Sequence, residues 1–565
     1  MLILGVTDNH DSGAALVEDG RLVAAVGQER LDRKKNSGAF PWAAIETVLD
    51  QVGRKPKEID RVVFGTSFTP SFVLRRFPEF HHQRRSEGGQ FSYLLNLYVL
   101  YQVALRGSGL HTVEIDACRD LLSARMAERG FAAPVELLDH HTVHAESAYR
   151  SQPKARCLVL TVDAMGDGIT CTANMGSMGA VDRIWQQSGF AAINTYYSRV
   201  TEWLGFTPNR HEGKITGLAA YAVPPVELVD HFRRQLHFRE PGFSTVDYTR
   251  RQSPDDAFYS KLKGWSREEI ASALQANLED AVTDFVRYWV RRCGVSDVAV
   301  CGGIFANVKL NQRIAEIEEV GSLWVYPNMG DGGLAAGAAM AAAELPPHRT
   351  PNLYLGPSYP RNVIARELNI AGLRPKMPDD LESEVADLLA AGKVVARFDG
   401  GTEWGPRALG NRTVMYRPDD PAINDWLNKR LKRTEFMPFA PAVMAEDAAS
   451  LFIGVEKAVD AARFMTVCFD CTEDMRALCP GVVHVDGTAR PQIVHREDNP
   501  GFYRIIELFK ERTGLPAVIN TSFNMHEEPI VCSPYDAIRA WRESELDALA
   551  IGPFLVTRED VAGQE

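Results

Sequence analysis

Cys157-Leu-Val-Leu-Thr-Val-Asp163 is an apolar run that closes on a carboxylate, passes through the small and polar Ala-Met-Gly-Asp-Gly168 and returns as a second apolar stretch at Ile169–Ala173. The first residues read the same way. Leu2–Val6 leads into Thr7-Asp8-Asn9-His10, a strand returns at Ala14–Val17, and the turn Glu18-Asp19-Gly20 sends the chain back along Leu22–Val26. Short β-rich runs bounded by turn residues are read as hairpin strands. A unit that occurs twice predicts an internal duplication, two similar lobes facing each other across a cleft, with the plainer alternative that many α/β units begin this way.

Working outward, Pro41 suits the first turn of a helix running to Val52, and Val62–Phe64 supplies the next strand. Val298-Ala-Val-Cys-Gly-Gly-Ile-Phe-Ala-Asn307 reads as a strand entering a tight loop and then a helix from Val308. Gly330-Asp-Gly-Gly-Leu-Ala-Ala-Gly337 opens an Ala-rich helix. Glycine pairs at such junctions let backbone N–H groups approach phosphate oxygens, with close helix packing as the plainer alternative. Pro346-Pro-His-Arg-Thr-Pro351 reads as a linker, which places a domain boundary near 345–360 and gives domains of 1–350 and 360–565. The second part is again α/β: helix 380–391, strand Val394–Phe398, helix Ala422–Leu431, helix Phe502–Thr513 and strand Ala517–Ile519.

Composition bounds the function. The chain has 565 residues, 45% of them hydrophobic, which is too long for one core and too apolar for disorder. With 62 Lys+Arg against 74 Asp+Glu the net charge is −12, which argues against a phosphate-neutralising nucleic-acid binder. No apolar run is long enough for a membrane span, and the opening residues lack a secretory signal pattern, so a cytoplasmic protein without membrane partners is expected. Nine scattered cysteines fit a reducing compartment. Cys468, Cys471, Cys479 and His484 could be drawn as a zinc site, but Cys468 lies in a strand-like run where cysteine serves as a small apolar residue.

Three groups of residues carry chemistry. In Asp139-His-His-Thr-Val-His-Ala-Glu146, His140 and His144 stand at i and i+4, one helical face within reach of one metal ion. His141 is the weaker candidate. Asp331, in a Gly-rich loop, is the natural carboxylate to join them, or else a cap for the helix that follows. Asp8-Asn-His10-Asp-Ser-Gly13 places acids and an imidazole at the end of the first strand, where open α/β sheets bind ligands, and imidazole suits removal of a proton from a hydroxyl near neutral pH. In the second part Arg407, Arg412, Lys429, Arg430, Lys432, Arg433 and Arg490, with Asn520-Thr-Ser-Phe-Asn524, form a cationic set suited to phosphate and carboxylate groups.

These segments match a family. Asp8-x-x-Asp11-Ser-Gly-Ala-Ala-Leu16, His140-x-x-x-His144, Lys214-Ile-Thr-Gly-Leu-Ala-Ala-Tyr221, Gly302-Gly-Ile-Phe-Ala-Asn307 and Gly330-Asp-Gly-Gly333 resemble the N-terminal domain of the NodU/CmcH/TobZ O-carbamoyltransferases. Gly405-Pro-Arg-Ala-Leu-Gly410, Pro438-Phe-Ala-Pro441 and Asn520-Thr-Ser-Phe-Asn-Met-His-Glu-Glu-Pro-Ile530 resemble that family's YrdC-like C-terminal domain. The resemblance implies an α/β chain: a bilobal actin-like, sugar-kinase-like duplicated domain followed by a YrdC-like twisted α/β domain. It implies that His140, His144 and Asp331 hold a divalent metal, with Fe2+ the expected ion. Lys214, Gly217, Gly302, Gly303 and Asn307 would lie along the adenylate, with Lys35 as a further phosphate contact. Arg407, Lys432, Arg490, Ser522 and Asn524 would line a second site where ATP, with Mg2+, and carbamoyl phosphate are joined. Several cations in 429–433 compete for the position given to Lys432.

The activity implied is ATP-dependent O-carbamoyl transfer. Carbamoyl adenylate would form in the C-terminal domain and pass to a hydroxyl of a secondary metabolite or sugar in the N-terminal one, as in antibiotic biosynthesis. His10, assisted by Asp8, would take the acceptor proton. A homodimer is a compatible assembly. The stretch 67–110, with its basic and aromatic residues, matches no motif and is expected to border the acceptor pocket. The rivals are a tRNA threonylcarbamoyl-transfer enzyme, a sugar kinase of the same superfold and an ATP-binding regulatory protein.

Overall fold

The computed structural model describes residues 1–78, 93–245, 256–430 and 436–558. The chain falls into two compact units: Met1–Gln28 with Asn36–Thr350, and Glu29–Lys35 with Pro351–Glu565. The second unit thus takes in a short segment of the N-terminal sequence. Within that unit Arg33 donates to the carbonyls of Pro529 and Ile530, both at 2.7 Å, and Arg30 to that of Gly405 at 2.8 Å.

The first unit is built on two five-stranded sheets. In one, β1 (Leu2–Thr7), β2 (Gly13–Glu18), β3 (Arg21–Gly27), β4 (Arg61–Phe64) and β5 (Val135–Leu137) lie in the order β3-β2-β1-β4-β5. The hairpin strands are antiparallel to β1, while β4 and β5 run parallel to it. The other sheet holds β6 (Arg156–Gly166), β7 (Ile169–Ser177) and β8 (Ala180–Ser188). A separate two-stranded ribbon, β9 (Leu236–Arg239) and β10 (Gly242–Thr245), follows, and then β11 (Asp297–Cys301) and β12 (Ser322–Val325) complete the sheet in the order β12-β11-β6-β7-β8. Its pattern of parallel and antiparallel neighbours is the same as in the first. The repeated opening therefore marks a true duplication, as an actin-like bilobal α/β domain requires. Both opening strands are buried because each sits at the centre of its sheet, which is why they read as continuous apolar runs.

Each half closes with a helix after its last strand: His140–Arg150 in the first, Leu334–Ala342 in the second. The two pack directly on each other. A methyl group at Gly337 would lie 2.0 Å from Ser147 Oγ and 3.0 Å from Val143 O, so only a glycine lets these backbones approach. The Ala-rich helix also reaches the first sheet, where Arg61 of β4 donates to Ala342 O at 2.6 Å. Its alanines are the price-free choice for a helix buried on nearly every side, since they lose no rotamer entropy.

The second unit carries a seven-stranded mixed sheet in the spatial order Gln492–Val494, Ala440–Met444, Ala517–Ser522, Arg412–Tyr416, Val395–Phe398, Ala548–Ile551 and Phe554–Thr557. Helices Leu381–Ala390 and Pro500–Thr513 pack one face through Val385, Leu389, Phe502, Ile506 and Phe509. Among the described residues no helix is long and apolar enough to cross a membrane. The helix crossing gives a direct test: Gly337→Ala is expected to destabilise the protein by about 1–3 kcal/mol through overpacking. A lowered denaturant midpoint is the readout; an unchanged one would show that the helices part without cost.

Candidate metal centre and motif convergence

The His140–Arg150 helix starts where it does because two carboxylates hold its first turn. Asp139 accepts from the backbone N–H of Thr142 at 3.0 Å, and the fully buried Asp167 accepts from that of His140 at 2.9 Å. Burial alone would raise the Asp139 carboxyl, but Arg183 and Arg106 hold it below the ordinary range. Asp167 also accepts from Ser67 N and Oγ and from Phe68 N, so the helix end is fastened to the loop after β4.

On that turn the i, i+4 spacing does what helical geometry demands. The Nε2 atoms of His140 and His144 lie 3.4 and 3.1 Å from Asp163 Oδ2, and each lies 3.6 Å from Asp331 Oδ1. One ligand atom from each of the four residues falls within 4.8 Å of all the others. Ligand atoms at 2.0–2.2 Å from a common ion stand roughly 3.0–3.6 Å apart, so the set fits a divalent cation. The electrostatics agree. Burial opposes protonation of both rings, yet Asp331 and Asp163 raise His140, and Cys301, Asp163 and Asp331 raise His144 well above the ordinary histidine value. Two carboxylates are thus drawing protons onto buried imidazoles, a role that a cation would take over. His141 points elsewhere: its Nδ1 is 2.7 Å from Thr161 Oγ1, its Nε2 is 3.0 Å from Ile169 O, and burial holds it well below the ordinary value.

Asp331 has a second oxygen to place. Asn9 Nδ2 donates to its Oδ2 at 2.7 Å, and His10 Nδ1 lies 3.5 Å from the same oxygen. The half-buried His10 therefore borders the cluster, with Asp11 3.4 Å from its Nε2. Asp8 does not assist it. Both Asp8 oxygens are taken by Arg75, at 2.9 and 3.1 Å, in a pair whose side chains are 3% and 1% exposed. The carboxylates that orient His10 are instead Asp11 and Asp331, a correction to the expected pairing whose reason is that a buried guanidinium leaves Asp8 no freedom to turn.

Arg75 belongs to the stretch 67–110, and so does Arg106, which donates to Asp139 Oδ2 and Asp167 O, both at 2.8 Å. The described part of that stretch buttresses the cluster from behind; His81, His82, Arg84, Arg85 and Phe91 lie outside the described residues. Gly302 and Gly303 follow β11. Gly302 adopts φ 114° where a Cβ would lie 2.1 Å from Val162 O, and a Cβ on Gly303 would lie 3.0 Å from Asp163 Oδ1, so this loop runs beside the cluster. Lys214 and Gly217 are buried on helix Glu212–Leu218. Asn307 caps the next helix through Leu310 N at 3.0 Å and exchanges two hydrogen bonds with Gln275. Lys35, half-buried, groups with the second unit.

In the second unit three motif segments share one polar hub. Asn520 Nδ2 donates to Gln492 Oε1 at 2.6 Å and to Ala408 O at 3.1 Å; Gln492 Nε2 donates to Leu409 O at 2.9 Å; Thr413 Oγ1 donates to Asn520 Oδ1. Arg407, Arg490 and Ser522 stand next to or two positions from hub residues, at one end of the sheet. The loop bearing Arg407 is shaped by Glu403, buried, whose Oε1 accepts from the backbone N–H groups of Leu409, Asn411 and Arg412 at 2.9, 2.9 and 3.0 Å. Asn524 Nδ2 donates to the carbonyls of Met525 and Glu528 at 2.9 and 2.8 Å. Arg412 is structural: fully buried, 3.7 Å over the Phe398 ring, donating to the carbonyls of Pro357, Asp399, Gly400 and Asn411. Lys432 lies outside the described residues. Cys468, Cys471, Cys479 and His484 form no metal cluster among the described residues; burial pushes the Cys471 and Cys479 thiols up to about 12.

Residues 2–340 match the family model described as the carbamoyltransferase N-terminus, and residues 386–558 match that of the carbamoyltransferase C-terminus. The chain belongs to the carbamoyltransferase family. This carbamoyltransferase is similar to an uncharacterized protein of Methanocaldococcus jannaschii, MJ1051, at 29% identity over 99% of this chain and 100% of that one. It is also similar to the nodulation protein NolNO of Sinorhizobium fredii, at 28% identity over 98% of this chain and 80% of that one. Among solved structures, component A of (R)-2-hydroxyglutaryl-CoA dehydratase from Acidaminococcus fermentans matches at 16% identity and a TM-score of 0.34, covering 61% of this chain and 98% of that one. At that level the fold rests on the strand order.

Sequence reading of the carbamoyltransferase missed Asp163 as a partner of the histidines, although it marks the end of the repeated strand; the echo with Asp8 was the available signal. Two outcomes are expected. Asp163→Ala and His144→Ala each weaken divalent-metal binding by more than about tenfold, measured by chelator competition. Arg75→Met leaves Asp8 charged and unpaired, which costs about 3–5 kcal/mol of folding stability, measured by denaturant unfolding.

Proposed function

We propose that this carbamoyltransferase is an ATP-dependent O-carbamoyltransferase that works through carbamoyl adenylate, operates in the cytoplasm and uses Fe2+ in its first unit. The observation that carries the reading is the buried set of two imidazoles and two carboxylates with His10 at the outer oxygen of Asp331. Two histidines with carboxylates suit a first-row metal such as iron(II).

Carbamoyl phosphate is a poor donor to an unactivated alcohol, so a better leaving group is needed. In the second unit water releases carbamate and phosphate from carbamoyl phosphate. The carbamate oxygen then attacks the α-phosphorus of Mg2+-bound ATP, a new P–O bond forms, and pyrophosphate leaves. Arg407, Arg490, Ser522 and Asn524, with Lys432, are the residues assigned to this site, and the support for grouping Arg407, Arg490 and Ser522 is their closeness in sequence to the Asn520–Gln492 hub. Guanidinium forks and hydroxyl donors stabilise phosphate charge as it shifts toward the leaving group.

In the first unit Lys214, Gly217 and the Gly302–Asn307 loop are assigned to the adenylate; Lys35, in the second unit, is assigned to a phosphate. A divalent cation held by His140, His144, Asp163 and Asp331 would supply positive charge to a carbamoyl or phosphate oxygen. His10, kept in place by Asp11 and Asp331, accepts the proton of the acceptor hydroxyl as its oxygen attacks the carbamoyl carbon and AMP departs. The acceptor is a hydroxyl of a small secondary metabolite or sugar.

Purified protein given carbamoyl phosphate, ATP and Mg2+ should release pyrophosphate, and AMP once a hydroxyl acceptor is added. ADP as the product would instead identify a kinase. His144→Ala should abolish transfer to the acceptor while pyrophosphate release persists within about threefold; equal loss of both steps in a folded variant would overturn the division between units.

A further inference from the structure

Metal-binding histidines ordinarily donate their second ring N–H to a carboxylate, a backbone carbonyl or a water, which fixes the tautomer and the ring direction. The two histidines of the cluster differ here. His140 Nδ1 has no hydrogen-bond partner among the described residues. His144 Nδ1 lies 3.2 Å from the sulfur of Cys301, which closes β11 immediately before Gly302. Cys301 is fully buried, and its thiol donates in turn to Met329 O at 3.3 Å.

The geometry assigns Cys301 as a positioning residue for His144. With its hydrogen committed to the Met329 carbonyl, the sulfur presents lone pairs to His144 Nδ1–H, which holds the ring with Nε2 facing Asp163 and Asp331 as the atom that would bind a cation. Met329 lies two residues before Asp331, and Cys301 two before Gly303, whose loop runs beside Asp163. A single thiol therefore sets the direction of one imidazole and ties it to the segment that delivers Asp331 and to the loop that runs beside Asp163.

The assignment rests on the metal reading above, and the test separates the two. Full-length wild type, Cys301→Ser, Cys301→Val and Cys301→Ala are each titrated with Co2+ against a chelator, with the visible d–d band recorded. Serine keeps a donor and an acceptor, so Cys301→Ser should bind within about threefold of wild type with a shifted band, because the atom facing His144 has changed. Cys301→Ala and Cys301→Val remove the acceptor and should bind about 10–100-fold more weakly. Folded Ala or Val variants that bind as tightly as wild type, or a Ser variant with an unshifted band, would overturn the role of Cys301. Wild type that binds no Co2+ would overturn the metal reading itself.

Discussion

The first unit depends on the crossing of two buried helices, His140–Arg150 and Leu334–Ala342, at a point where Gly337 admits Val143 and Ser147. Each helix closes one half of the duplication, and the residues just before or at its start are the ones that meet. His140 opens one helix, and Asp331 begins the tight turn that leads into the other. Bringing the helices together therefore brings an imidazole face against a carboxylate. Any side chain at Gly337 would separate them and open the cluster.

Burying four ionisable groups together is costly unless their charges answer one another, and the surrounding residues are arranged to that end. Asp163 would be raised by burial but is held well below its ordinary value by hydrogen bonds from His140 and His144. Asp8, the counterpart of Asp163 in the first half, is neutralised by Arg75 instead. The duplicated strand ends thus carry equivalent carboxylates in opposite employment, one toward the site and one toward the scaffold. The described part of the stretch 67–110 supplies that scaffold through Arg75 and Arg106.

The second unit solves a related problem with neutral groups. Asn520, Gln492 and Thr413 satisfy one another and the carbonyls of Ala408 and Leu409, so the sheet end carries a connected polar network. Fully satisfied networks of this kind specify one arrangement of the segments they join. Arg412 and Glu403 hold the intervening loop from within, through carbonyls and backbone N–H groups respectively.

Local periodicity was enough to place the strands of the repeat and a share of the helices, though not Arg267–Cys293 or the strand Ala180–Ser188, and to choose His140 and His144 over His141, because a helix of 3.6 residues per turn puts i and i+4 on one face. Motif segments were legible for the same reason: glycine pairs and strand-end acids have short-range geometric causes. What the sequence could not determine was which carboxylate answers which cation. Asp163 and Asp8 end similar runs of similar residues, and only the packing of a distant Arg75 against one and of the His140 helix against the other separates their roles. Such choices are set by contacts between segments far apart in the chain, and these exist only once the two halves have folded together.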